Sequence, residues 1–301
     1  MYKTRLYAAL FVVVALTLAS HAQSGTYTCS NFQFLQLNTK YPNDSQAPNA
    51  VNDEDALTGS YIGFDQEFGF VNYHGGRVSP PYLVPGSALT SFGGINDLDA
   101  IVGWWAKTIQ PNSTGDGFLL LPGSAPVNIV HPNAERTWAS GINNLGTIVG
   151  SYASDQGYTA GYILSGGKFT DFRVEEALST QPAAINDEGV VVGSWTSFNP
   201  FGFIYKDGNV TVEYGPPNTG EMTFNGINNQ NEIAGSYLIN EGSAPWVGFV
   251  YSGGIFNVVQ IPNATGTYTL VNGINNRGDI TGYVDLTNGT QQSYLGTGCH
   301  F

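Results

Sequence analysis

Residues 141–152 read GINNLGTIVGSY, and copies of this phrase decide the fold. Val51-Asn52-Asp53, Ile95-Asn96-Asp97, Ile142-Asn143-Asn144, Ile185-Asn186-Asp187, Ile227-Asn228-Asn229 and Ile274-Asn275-Asn276 follow one another at steps of 44, 47, 43, 42 and 47 residues. Eight residues after each leading aliphatic side chain stands a glycine: Gly59, Gly103, Gly150, Gly193, Gly235 and Gly282. An aromatic residue follows at Tyr61, Trp105, Tyr152, Trp195 and Tyr237, with Tyr283 one place early in the last copy. Self-similarity at a fixed period of this length marks a repeat architecture.

Each copy reads as four strands. Within 137–174 they fall at 137–143, 147–153, 158–164 and 168–174, separated by Asn144-Leu145-Gly146, a polar loop and Ser165-Gly166-Gly167. The residue four after the leading aliphatic is Asp55, Asp99, Gly146, Gly189, Asn231 or Gly278. Those types tolerate positive φ best, so the first hairpin is expected to need a left-handed residue there. Gly75-Gly76, Gly166-Gly167, Gly253-Gly254 and Asp207-Gly208 mark the second hairpin in the same way. No stretch has an apolar period of 3.6, which excludes helical repeats. Four-stranded units of this length fit β-propeller blades. The expected fold is all-β: six four-stranded antiparallel blades beginning near residues 46, 88, 135, 178, 220 and 267. The sixth unit lacks its fourth strand, while residues 31–37 (NFQFLQL) resemble 256–261 (FNVVQI) of the fifth. The N-terminal strand is therefore expected to complete the last blade, which brings Cys29 beside Cys299. A bridge closing a loop of about 270 residues is worth on the order of 5 kcal/mol in the chain-entropy picture.

The pattern Ile-Asn-[Asp/Asn]-x-Gly-x-Ile-Val-Gly-x-Tyr, followed by a Gly-Phe strand, resembles the extracellular HAF-type repeat proteins of bacteria over about residues 45–295. The eponymous His-Ala-Phe is replaced here by Phe68-Gly69-Phe70, Asp116-Gly117-Phe118, Ala160-Gly161-Tyr162, Phe201-Gly202-Phe203 and Val247-Gly248-Phe249. The resemblance implies a secreted β-propeller-like repeat without an established activity.

Composition agrees with export. Residues 1–22 carry Lys3 and Arg5, an apolar run from Ala8 to Leu18, and the small-x-small site Ser20-His21-Ala22, as a secretory signal does. The remainder, 23–301, reads as one propeller domain in a secreted, extracellular or periplasmic setting, where two cysteines pair. The formal net charge is −13 and only 11% of residues are charged. That acid excess argues against nucleic acid as a partner, and no later stretch is apolar enough to insert in a membrane. Sequons occur at Asn43, Asn112, Asn209, Asn263 and Asn288.

Residues repeated in every unit read as architecture. The six asparagines are expected to cap their turns, the alternative being an amide ring near the channel. The repeated glycines read as close approaches between sheets. Pro85, Pro132, Pro217, Thr90, Thr137, Thr180 and Thr269 read as turn formers in the loops between units. Asp53-Glu54-Asp55 and Asp97-Leu98-Asp99 lack the twelve-residue loop and terminal Glu of an EF-hand, so they read as solvated turn carboxylates. His74, His131 and His300 fall in different units and do not make a zinc site.

The unrepeated residues on the loop face carry the functional expectation. The candidate ligand-binding set is Trp104, Glu135, Trp138, Glu221, Asn225, Trp246, Tyr268 and Asn272, with Glu175, Glu176 and Phe198 nearby in sequence. Indoles with amides and carboxylates suit stacking and hydrogen bonding to a glycan or a peptide. The same tryptophans also suit packing between blades. The first expectation is a monomeric binding module for an extracellular glycan or protein ligand, without a cofactor. The alternatives are a Ca²⁺-dependent hydrolase or lyase with an acidic site at the channel mouth, and a purely structural surface protein.

Overall fold

The structure is a computed structural model, and it describes residues 24–35, 46–62, 66–73, 76–110, 113–132, 134–240 and 245–301. The expected signal segment, His74, Asn43 and Asn112 lie outside these residues.

The protein is a six-bladed β-propeller. Blade 3 shows the plan: strands Ala134–Ile142, Ile148–Ser154, Thr159–Ser165 and Lys168–Phe172 pair in order as an antiparallel meander. The inner strands of the six blades are Gln46–Val51, Leu89–Ile95, Ala134–Ile142, Ser179–Ile185, Thr219–Ile227 and Ala264–Ile274. Single parallel bridges join blades in pairs: Glu67 with Leu89, Thr159 with Ser179, and Trp246 with Tyr268.

The turn after each inner strand forms as its residues require. Asp55, Asp99, Gly146, Gly189, Asn231 and Gly278 all have positive φ, between 56° and 80°. The second hairpins at Gly166-Gly167, Asp207-Gly208 and Gly253-Gly254 hold two consecutive positive-φ residues each, the type I′ geometry that matches strand twist.

The repeated glycines act within a blade rather than between sheets. A Cβ at Gly150 would lie 1.9 Å from the carbonyl oxygen of Trp138, on the inner strand of the same blade. That gap is filled from the third strand by a fully buried aromatic ring: Phe70, Phe118, Tyr162, Phe203, Phe249 and Tyr294 are all 0% exposed. Where the ring is tyrosine, its hydroxyl donates to the carbonyl at the gap, Tyr162 to Trp138 and Tyr294 to Leu270, both at 2.9 Å. Burial pushes both hydroxyls well above the ordinary tyrosine pKa.

The ring closes through the chain ends. The N-terminal strand, Ser24–Leu35, starts earlier than its sequence pattern indicated. Its second half pairs antiparallel with Gln291–His300 and completes blade 6, with Cys29 opposite Cys299. The two cysteines form a disulfide with a Cα separation of 3.8 Å. Its first half does something the sequence pattern did not announce: residues 24–28 pair in parallel with 256–260, the outer strand of blade 5. One strand thus fastens two blades. Arg277 adds a charged link from blade 6 to blade 1, bonding the Asp55 carboxylate and the Asp53 carbonyl while its Nε donates to Asp279 at 2.8 Å.

The repeated asparagines both cap and connect. Asn143 Oδ1 accepts from the backbone N–H of Leu145 (3.1 Å) and Thr147 (2.9 Å), and the other five do the same in their own turns. The opposite end of each amide donates to the carbonyl of the next asparagine: Asn52 to Asn96, Asn143, Asn186, Asn228, Asn275 and back to Asn52, at 3.0–3.1 Å. The following residues form a second closed ring. The N–H of Asp53 donates to Asp97 Oδ1, and the chain continues through Asn144, Asp187, Asn229 and Asn276 back to Asp53 at 2.7–2.9 Å. The part-exposed carboxylates of Asp53 and Asp97 are therefore also hydrogen-bond acceptors in the ring, because each backbone N–H at the turn points at the neighbouring blade.

Candidate functional site

Above the two rings lies a collar of six β-branched side chains. Val51, Ile95, Ile142, Ile185, Ile227 and Ile274 are 5–8% exposed and separate two spaces along the channel. On the turn side is a chamber of about 70 Å³, lined by the asparagine and Asp/Asn rings. On the loop side is a funnel of about 640 Å³. The channel narrows past the collar, from the large funnel to the small turn-side chamber.

Its walls come from a bulge repeated in every inner strand. The pairing with the second strand slips between Pro48 and Ala50, Phe92 and Ile95, Ala139 and Gly141, Pro182 and Ala184, Phe224 and Gly226, and Val271 and Gly273. A bulge leaves an extra residue out of the ladder and re-aims its side chain. The residues so placed are Asn49, Gly93, Ser140, Ala183, Asn225 and Asn272, and all six line the funnel. Small residues come next: a Cβ on Gly141 would meet Ala184 Cα at 2.9 Å, so the inner strands crowd together just above the floor.

The six bulge residues divide the funnel in two. On blades 5, 6 and 1 they are asparagines, each donating Nδ2 to the next blade: Asn225 to Val271 O (2.9 Å), Asn272 to Pro48 O (2.9 Å) and Asn49 to Phe92 O (2.7 Å). That uses one of the two amide N–H groups, so a second N–H and Oδ1 remain on each for a ligand. On blades 2, 3 and 4 the bulge residues are small, and Trp104 and Trp138 line the funnel there, beside Ser91, Ser151, Ser194 and Gln181. In a ring of six, blade 2 faces blade 5 and blade 3 faces blade 6. Two indoles therefore oppose Asn225 and Asn272. The Arg136 guanidinium sits over the Trp138 ring, 5.6 Å from its centroid, and steadies it. No Asp, Glu, Lys, Arg or His is among the described residues lining the funnel.

Of the candidate residues, the structure brings Trp104, Trp138, Asn225 and Asn272 into this one cavity. Trp246 and Tyr268 pair across the seam between blades 5 and 6, outside it. Glu135 lies on a separate surface groove of about 580 Å³ with Tyr152, Asp155, Gln156 and Tyr158. Glu221 lies on the inner strand of blade 5 opposite Leu238, also outside the funnel. Phe198 is 98% exposed, and Glu175 and Glu176 are exposed as well. Asn49, Ser140 and Gln181 belong to the cavity and were not among the candidates. Aligning the residue two before each leading aliphatic would have found Asn49 and Ser140.

The loop-face threonines serve the rim. Thr90, Thr137 and Thr180 accept through Oγ1 from the backbone N–H of Val84, His131 and Val174 at 2.9–3.0 Å, drawing each connecting loop over its blade. His131 is buried, stacks on Tyr152 with centroids 3.7 Å apart, and is bonded to Asp171 at 3.0 Å. No group of three or more metal-ligating His, Cys, Asp or Glu side chains occurs among the described residues. No described helix is long and apolar enough to cross a membrane.

No family model matches the chain, and no curated protein matches it either. Solved structures do. AofleA from Arthrobotrys oligospora is similar with a TM-score of 0.54 at 10% identity, over 93% of this chain and 92% of that one. Trypanosoma rangeli sialidase gives a TM-score of 0.51 at 10% identity, over 86% of this chain and 54% of that one. A mutant Aleuria aurantia lectin, solved with Fucα1-6GlcNAc, gives 0.49 at 10% identity, over 88% and 93%. At such identities the likeness is one of fold. Fold and cavity together define a six-bladed propeller with a central funnel that narrows toward the turn side.

Proposed function

We propose that this chain is an exported binding module that holds a neutral carbohydrate in its central funnel. The observation that carries the reading is the funnel's chemistry: two indoles opposite a row of amides, in about 640 Å³ with no ionisable side chain among the described wall residues. Small-molecule sites are typically about 300–1,000 Å³, largely apolar with a few placed polar groups. A sugar ring has an apolar face that stacks on an indole and a hydroxyl edge that bonds to amides. The amides are held by the neighbouring blades before any ligand arrives, so little ordering is left to oppose binding. A Ca²⁺-dependent hydrolase needs several carboxylate or carbonyl oxygens converging on the ion, and the funnel has no carboxylate among its described lining residues. The disulfide, and the resemblance of the repeat to HAF-type proteins, support an extracellular setting.

The test is calorimetry and tryptophan fluorescence with neutral mono- and oligosaccharides on the wild type and on Trp104→Ala and Trp138→Ala. A sugar that binds the wild type is expected to lose at least about tenfold in affinity, roughly 1.4 kcal/mol, in each variant. Unchanged affinity in both variants would remove the funnel from the reading.

A further inference from the structure

We infer that the funnel admits only the free end of a neutral glycan chain, entering end-on, and does not bind the interior of a polysaccharide. The inference rests on the carbohydrate reading above and extends it to the form of the ligand.

The floor is the first reason. A groove open at both ends lets a polymer pass through, and a pit that narrows at its base does not. Here the channel narrows past Val51 and five isoleucines to a chamber of about 70 Å³ walled by two hydrogen-bonded rings, too little space for a sugar ring to pass. Every asparagine of the upper ring is 3–5% exposed, and each holds its own turn and the next blade at once. Opening the floor would break several buried hydrogen bonds together, which a weakly bound sugar cannot drive.

Depth is the second. From Ile142 on the floor to Trp138 near the mouth the inner strand climbs four residues, on the order of 10 Å at strand rise. The indoles therefore meet a ring that has already entered, and the bulge amides of Asn225 and Asn272 lie between the indoles and the floor in strand order. Stacking and hydrogen bonding act on the same terminal segment.

Neutrality is the third. The chain carries net charge −13, and the funnel has no Lys or Arg among its lining residues. An anionic end, such as a sialic or uronic acid, would shed water against walls that give its carboxylate no cation, inside a negative field. A cationic end would find no carboxylate to pair with.

The test compares three forms of the same sugars by calorimetry on the intact protein. One arm is a set of short neutral oligosaccharides ending in galactose, fucose, mannose, glucose or N-acetylglucosamine. The second arm is the galactose-ended members capped with sialic acid. The third arm is linear mannan and β-glucan at equal mass of sugar, before and after partial hydrolysis that multiplies chain ends. The expected result is binding of at least one short neutral member, a loss of tenfold or more on capping, and polymer binding that rises in proportion to the number of ends. Ala183→Leu and the milder Ser140→Asn, which fill the pit from two blades, are expected to weaken the same binding while the melting temperature does not fall appreciably below that of the wild type. Intact polymer binding as well as its hydrolysate per mass, or capped and uncapped sugars binding alike, would overturn end recognition while leaving a carbohydrate-binding funnel. If no neutral sugar in the panel binds, the carbohydrate reading itself fails, and this inference with it.

Discussion

The two sides of the floor are built by the same six repeats and obey opposite rules. On the turn side one residue type recurs, asparagine, and it makes the same three hydrogen bonds in every blade. On the loop side, three residues earlier in each strand, the bulge position holds Asn, Gly, Ser, Ala, Asn and Asn around the ring. Backbone geometry is alike on both sides, so the difference is one of constraint. The turn side is satisfied only by an amide, whose carbonyl and N–H ends face different blades. The loop side needs a bulge but no particular side chain, and that freedom is what a binding surface can use. In a repeat protein, sameness marks what closes the ring, and variation at an aligned position marks where chemistry was free to differ.

Alanine substitutions on the two sides measure this contrast. Asn143→Ala removes two turn bonds and one bond between blades, all in a buried setting, and leaves donors without partners. We expect a loss of about 2–4 kcal/mol in urea unfolding. Asn272→Ala removes a single bond to Pro48 O at a wall open to the funnel, with an expected loss of about 1 kcal/mol or less. Equal losses would erase the distinction.

Alkaline titration probes the packing between the two sides. The hydroxyls of Tyr162 and Tyr294 are pushed far up by burial. Those of Tyr152 and Tyr251 are pushed up to about 12, chiefly by burial, with Asp171 and Glu213 beside them adding to it. An unfolded tyrosine ionises near pH 10, so above that pH the unfolded chain gives up protons that the native state retains. The stabilisation is fully present below about pH 10 and falls as pH rises, by at most about 1.4 kcal/mol per unit for each of Tyr162 and Tyr294 and by less for the part-exposed hydroxyls of Tyr152 and Tyr251. Melting temperatures from pH 8 to 11.5 should show a plateau and then a steep descent. A flat profile across that window would contradict the buried hydroxyl geometry.

The smallest effect sharpens the comparison most. Ser140→Asn places an amide at the bulge of blade 3, in the manner of blades 5, 6 and 1. A new bond to the neighbouring blade is expected to raise stability by about 0.5–1 kcal/mol, read as a shift in the urea midpoint at unchanged slope. No gain would mean that the asparagine latches depend on more than the bulge.

Much of this was legible before any coordinates. The Ile-Asn-Asp phrase and its spacing reveal the blade count because each turn demands its own residue types, as the positive φ values of Asp55, Asp99 and Asn231 illustrate. The pairing of Cys29 with Cys299 followed from a missing strand in the last unit. Of the site, Trp104, Trp138, Asn225 and Asn272 were visible as residues that break the repeat. The bulges were not, because one extra residue in every unit leaves the period unchanged. The asparagines read as turn caps with an amide ring as the alternative, and the structure shows both roles at once, because the two ends of each amide face different partners. The parallel pairing of residues 24–28 with blade 5 has no local signature at all.

That N-terminal strand imposes an order of events. It leaves the ribosome among the first of the described residues, yet the strand it must join, Gln291–His300, is among the last. Through most of synthesis it has no partner along that edge, and five finished blades would still be an open arc. Sealing is the final act, and oxidation of the two thiols records that it has taken place. Pairings this distant in sequence make for slow maturation, so the waiting strand is the part of this architecture most in need of shielding until the ring closes.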